Sequence, residues 1–138
     1  KMLSGVAVDE SVVTSFGKIK MGKSLRYCLF KISDDGSSIV VDKEVATASY
    51  DDFVNDLPKN DCRYGVYDFE YTAEDGGKRN KITFVVWAPD SAKIKSKMLY
   101  ASSKDSIKKK LVGIQVEVQA TDISEVVHEA VLEKVLRV

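Results

Sequence analysis

The chain has 138 residues, with 21 basic and 21 acidic side chains and a formal net charge of zero. That balance argues against a general nucleic-acid binder, which carries a basic excess, and no apolar run approaches the ~18 residues of a membrane span. At 44% apolar and 30% charged residues, the composition is that of a soluble globular chain able to bury a core as one domain. The N-terminal "KMLSGVAV" lacks the long apolar stretch of a signal peptide, so export is not expected. Lys1 ahead of Met2 reads as a leftover, which makes Ser4 the expected third native residue.

Asp9 is placed to cap a first helix over 10–20, whose Val12, Phe16 and Ile19 share one apolar face. "SLRYCLFKI" (24–32) and "SSIVVDKEV" (37–45) read as strands, and "SDDGS" between them supplies the turn of a hairpin. "SYDDFVNDLP" (49–58) reads as a short helix capped by Ser49, with Tyr50, Phe53 and Leu57 inward and Pro58 ending it. "CRYGVYDFEYT" (62–72) and "NKITFVVWAP" (80–89) form a second hairpin through the basic loop "AEDGGKRNK". Asp90 is the expected cap of a long helix, "IQVEVQA" (114–120) a fifth strand, and "DISE" (122–125) the capping box of a last helix to about 135. Val127, Ala130, Val131 and Val135 are its expected inward face. Cys28 and Cys62 both sit in strand-like runs and read as reduced core thiols, with a disulfide left open.

The long helix raises the main question. Residues 91–111 hold seven lysines and one acid, so the segment carries +6 and the rest of the chain −6. Such polarity can steer an acidic partner. Lys93, Lys97, Lys104 and Lys108 share one side of a helix, and few acids stand at the i±4 positions that would pair with them. Ile94, Met98 and Ala101 form an apolar stripe in the first half, whereas Ile107 and Leu111 fall among the lysines. A single buried face does not account for that pattern, so a kink near "YASS" or a change of buried face is expected.

Catalytic chemistry has little support. His128 is the one histidine and reads as an exposed helical residue. Asp34/Asp35 and Asp51/Asp52 read as turn and helix-start acids, and neither a phosphate-binding glycine loop nor a nucleophile elbow occurs. No cofactor or metal is expected.

"KSKMLYASSKDSIKKKLVGIQVEVQATD", "LPKNDCRYGVYDFEY", "GGKRNKITFVVWAPDSAKIKSKM" and "SGVAV" resemble stretches of the actin-depolymerising factor (ADF)/cofilin family, in the same order. The resemblance covers residues 4–137 as one ADF-homology domain. It implies an α/β (α+β) fold: a central mixed sheet of five to six strands sandwiched between helices, gelsolin-like. It also implies a non-enzymatic protein that binds monomeric and filamentous actin, prefers the ADP form, and severs and depolymerises filaments. Under that resemblance Ser4, Gly5, Val6, Lys95, Lys97 and Met98 contact monomers and filaments. Lys78, Arg79, Lys81, Glu133, Lys134 and Arg137 form a filament-only surface. Ser4 is the expected phosphorylation site. Lys95, Lys97, Lys104, Lys108 and Lys109 are the expected contacts for inhibitory phosphoinositides at the membrane surface. A cytoplasmic monomer is expected, with no nuclear-import run near the first hairpin. A monomer-recycling member with weak severing, and a phosphoinositide-regulated peripheral binder, remain alternatives.

Overall fold

The computed structural model describes residues 5–21 and 23–138, so the expectations resting on Ser4 lie outside the described residues. A two-residue strand β1 (Ala7–Val8) leads into helix α1 (Glu10–Lys20). Strands β2 (Tyr27–Ile32) and β3 (Ser38–Val45) are followed by α2 (Tyr50–Asp56). Strands β4 (Arg63–Thr72) and β5 (Lys78–Trp87) precede the long α3 (Ile94–Lys110), then β6 (Val116–Ala120) and α4 (His128–Arg137). Among the described residues the six strands form one sheet in the order β1-β3-β2-β4-β5-β6. The inner pairs are antiparallel, with β2–β3 and β4–β5 as hairpins joined through β2–β4, whereas β1–β3 and β5–β6 are parallel. The expected mixed sheet between helices is therefore the observed one, with β1 as the strand that the sequence pattern did not mark.

Strand alternation explains the two layers of helices. On one face Cys28, Phe30, Ile32, Tyr64, Val66, Phe84 and Val86 pack with Val12, Phe16 and Ile19 of α1 and with Tyr100 and Ile107 of α3. On the other, Tyr27, Leu29, Tyr67, Phe69, Val85, Trp87, Val116 and Val118 meet α2 and α4. The central strands are thus apolar on both sides and must be covered on both. Cys28 and Cys62 are buried free thiols, and burial pushes the Cys28 thiol well above its usual pKa. The second core is aromatic: Tyr50 meets Tyr67 at 4.9 Å and Phe69 at 5.4 Å edge-on, and donates its hydroxyl to the Val126 carbonyl at 2.6 Å.

Local chemistry sets the element ends. The Asp9 side chain accepts the Ser11 amide, and Ser49 and Asp52 form a reciprocal capping box on α2. In the first hairpin Asp35 accepts from Ser33 and Ser37, which holds its carboxyl down at about 2. The expected turn and helix-start acids are found in those roles.

Three local expectations fail. Asp90 does not cap α3: the helix starts at Ile94 after an extended Lys93 that offers no side-chain cap, and the Asp90 carbonyl instead accepts Lys97 Nζ at 3.2 Å. The Asp122/Glu125 box caps a single 3-10 turn (Ile123–Glu125), and α4 begins separately at His128. Val127 consequently points outward at 37% exposure, and Val126 takes the buried place. The third failure, the phase of α3, bears on the site and is described with it.

Gly65 in β4 marks where α2 comes closest to the sheet. A Cβ there would lie 2.9 Å from the Phe53 ring and 3.3 Å from Leu29. Gly65→Ala is therefore expected to destabilise the fold by about 1–3 kcal/mol through overpacking. Urea denaturation checks this, and an unchanged midpoint would mean that the Phe53 ring yields freely.

Candidate functional site

The rotation of α3 is set by Tyr100, Ser103 and Ile107, which are buried, with Leu111 buried just past the helix end. These positions follow one another at three- and four-residue spacing, so one face of the helix meets the sheet along its length. No change of buried face is needed. The sequence pattern missed this face because a serine stands in the middle of it. The Ser103 hydroxyl is fully buried and has no hydrogen-bond partner among the described residues. Tyr100 accepts the Ile32 amide at 2.8 Å, and its carbonyl accepts the Tyr64 hydroxyl at 2.5 Å.

With that face inward, the supposed apolar stripe points out. Ile94 is 72% and Met98 66% exposed, and Ala101 is exposed as well. Lys93 and Lys95 flank them. Lys93, Lys95 and Lys97 crowd the N-terminal end of α3, and its first turn holds no acidic residue. The helix dipole adds further positive potential at that end. Among the described residues neither Lys93 nor Lys95 has an ion pair, and Lys97 reaches only a carbonyl. The result is an apolar centre with a cationic rim. Ile94 belongs to it and is not among the contacts that the resemblance implies; its exposure becomes legible only once the phase of the helix is known.

The N-terminal segment lies alongside. β1 pairs with β3 through Ala7↔Ser38 and packs against α3. Val6 is buried in the first core, so its side chain anchors the segment, and Gly5 is exposed with φ +74°. That left-handed conformation suits glycine. Gly5, Lys95, Lys97 and Met98 are thus carried by two elements in direct contact.

The second half of α3 is different. Lys104 Nζ lies 3.1 Å from Glu117 Oε2, and Lys108 Nζ lies 2.7 Å from Glu117 Oε1. Burial works to raise the Glu117 carboxyl, but the hydrogen bonds from Lys108 and Lys104 outweigh it and hold it below its usual range. Lys109 is exposed and unpaired among the described residues. The expected i±4 partners are missing because the acid comes from the neighbouring strand.

The remaining candidates gather at the far end of the β4–β5 hairpin. Lys78 and Arg79 pair with Thr72 and Tyr71 across the ladder, and Arg79 forms an ion pair with Asp75 at 2.9 Å. Lys81 turns toward α4. Its ammonium donates to the carbonyls of Val135, at 3.0 Å, and Val138, and stands 5.6 Å from the Tyr71 ring centre. It satisfies carbonyls at the negative end of the helix. Glu133, Lys134 and Arg137 are exposed on α4, and Lys81 ties the hairpin to the end of that helix. His128, exposed as expected, stacks on Phe69 at 4.9 Å.

A family model described as cofilin/tropomyosin-type actin-binding protein matches residues 5–136. The chain belongs to the cofilin/ADF family. Cofilin from Yarrowia lipolytica is 53% identical over 135 residues, covering 97% of this chain and 88% of that protein. Actophorin from Acanthamoeba castellanii is 53% identical over 133 residues, covering 96% of each. Among solved structures, a crystal structure of Streptomyces griseoflavus cofilin superposes with a TM-score of 0.91 at 50% identity, over 96% of this chain and 98% of that one. Cofilin/ADF proteins are actin-binding proteins rather than enzymes, so for this cofilin/ADF chain the geometry above is read as a docking surface.

Lys81→Met keeps an apolar side chain of similar length but removes the ammonium, and with it both the carbonyl cap and the cation–π contact with Tyr71. It is expected to speed amide exchange in the last turn of α4 and to lower stability by about 1 kcal/mol. Hydrogen exchange checks this, and unchanged protection of α4 would show that Lys81 does not hold the helix end.

Proposed function

We propose that the chain binds actin monomers and filaments, prefers the ADP-bound form, and severs and depolymerises filaments, acting as a single domain over residues 4–137. The reading rests above all on the outward face of α3, where Ile94 and Met98 stand exposed among lysines at the helix N-terminal end. Apolar contact surrounded by steering charge is what a specific protein interface uses, and a flexible methionine adapts to its partner. Ser4, Gly5, Lys95, Lys97 and Met98 form the surface for monomers and filaments, while Val6, buried in the core, holds that segment in place instead of touching the partner. Lys78, Arg79, Lys81, Glu133, Lys134 and Arg137 form the surface for a second subunit along the filament. Engaging both surfaces favours a twisted filament only by the difference in contact free energy between its two states.

Regulation follows the same charges. A phosphate on Ser4 adds about −1.5 to −2 charges to the N-terminal segment that docks on actin and opposes docking. Phosphoinositides, engaged by Lys95, Lys97, Lys104, Lys108 and Lys109, compete with actin at the membrane surface. The protein works as a monomer on the cytoplasmic actin cytoskeleton.

A second reading, monomer recycling with weak severing, draws on the hairpin. Arg79 is paired with Asp75 and Lys81 is committed to carbonyls of α4, which leaves Lys78 as the hairpin cation whose side chain has neither an ion pair nor a hydrogen bond among the described residues. Imaging of single actin filaments separates the two: severing gives breaks along the filament, recycling gives shrinkage from the ends. Lys78→Ala with Arg79→Ala is expected to weaken filament binding about tenfold or more while monomer binding holds, since hot-spot arginines carry ~2 kcal/mol. Lys95→Ala with Lys97→Ala is expected to weaken both. Intact filament binding in the first pair would remove the hairpin from the site.

A further inference from the structure

Lys104 and Lys108 stand one helical turn apart on α3, facing Glu117 on β6. Strand alternation sends the flanking Val116 and Val118 into the second core, so Glu117 faces the α3 side. One carboxylate serves two ammonium groups, one oxygen to each, and all three side chains are only 30–38% exposed. The two lysines that a lipid phosphate would reach are therefore already bound to an anion that belongs to the chain.

We infer that Glu117 is a built-in counter-anion that withholds Lys104 and Lys108 from singly charged lipids and yields them to headgroups carrying several phosphates. The inference rests on the phosphoinositide contacts proposed above and adds what selects among anionic lipids. A singly charged headgroup offers the two lysines no more charge than Glu117 does. Glu117 is also tethered in place, at an effective concentration that a free lipid does not match. Displacing it leaves a half-buried carboxylate without its partners, an added cost. A polyphosphorylated headgroup brings an acceptor for each lysine and reaches the exposed Lys109 as well, through charge-assisted bonds that are shorter and stronger. Selectivity then arises from an internal competitor rather than from a shaped pocket.

The test compares the chain with its Glu117→Gln variant, which preserves shape and removes charge. Each is pelleted with phosphatidylcholine vesicles carrying phosphatidylinositol bisphosphate, or with vesicles of equal surface charge carrying phosphatidylserine. The unaltered chain is expected to prefer the bisphosphate vesicles. Glu117→Gln is expected to gain about fivefold on phosphatidylserine, the order of one partly buried ion pair, and less on bisphosphate, so the preference narrows. Adding Lys104→Gln and Lys108→Gln is expected to cancel that gain, and Glu117→Ala to reproduce it. If the unaltered chain binds bisphosphate vesicles and Glu117→Gln matches it on both lipids, the counter-anion role is overturned and the lipid reading stands. If neither protein binds either vesicle, both fall. Binding by the variant where the unaltered chain fails supports a stronger form of the same restraint.

Discussion

The rotation of α3 depends on Tyr100, whose hydroxyl accepts the Ile32 amide while its carbonyl accepts the Tyr64 hydroxyl, a side chain buried in the first core. Two hydrogen bonds from two strands pin one helical residue at one angle. Ile107 and Ser103 follow on the same face. The exposure and pairing of every candidate residue on α3 are consequences of that angle. Ile94 and Met98 turn to solvent, Lys93 and Lys95 flank them, and Lys104 and Lys108 reach across to Glu117. A rotation of one residue, 100°, would bury lysines against the sheet and break the pair at Glu117.

The sheet supplies a second constraint. Its central strands are apolar on both faces, so helices must cover both and ordinary binding surface is left at edges and ends. The two candidate surfaces lie where helices meet those margins. One joins α3 to the short edge strand β1, and the other joins the end of the β4–β5 hairpin to α4 through Lys81. Neither surface is a cleft shaped for chemistry. Both are charged regions carried on helices and strands, which suits docking on a large partner.

Much of the fold was legible in sequence because local signals agreed. Asp9, Ser49 and "SDDGS" cap or turn where the residue types demand, and the apolar and aromatic runs of β2, β4 and β5 mark them as strands. What was not legible had physical reasons. A buried serine erased the periodicity of α3, so the residue pattern alone did not fix which side the stripe of Ile94 and Met98 faces. Asp122 and Glu125 satisfied the capping-box spacing, but the main chain used them for one 3-10 turn. The partner of Lys104 and Lys108 comes from another strand, which no i±4 count detects. The resemblance to ADF/cofilin proteins supplied the candidate positions; the structure adds which of them are exposed, which are paired, and that Lys81 works on α4.

The most direct test of the central claim is hydrogen exchange of the chain with and without monomeric ADP-actin. The claim is that the outward face of α3 and the adjoining N-terminal segment dock on actin. It predicts added protection at residues 5–8 and 94–98, with α2 and the 3-10 turn at 123–125 unchanged. Protection confined to α2 or to that turn, with residues 94–98 unaffected, would contradict it.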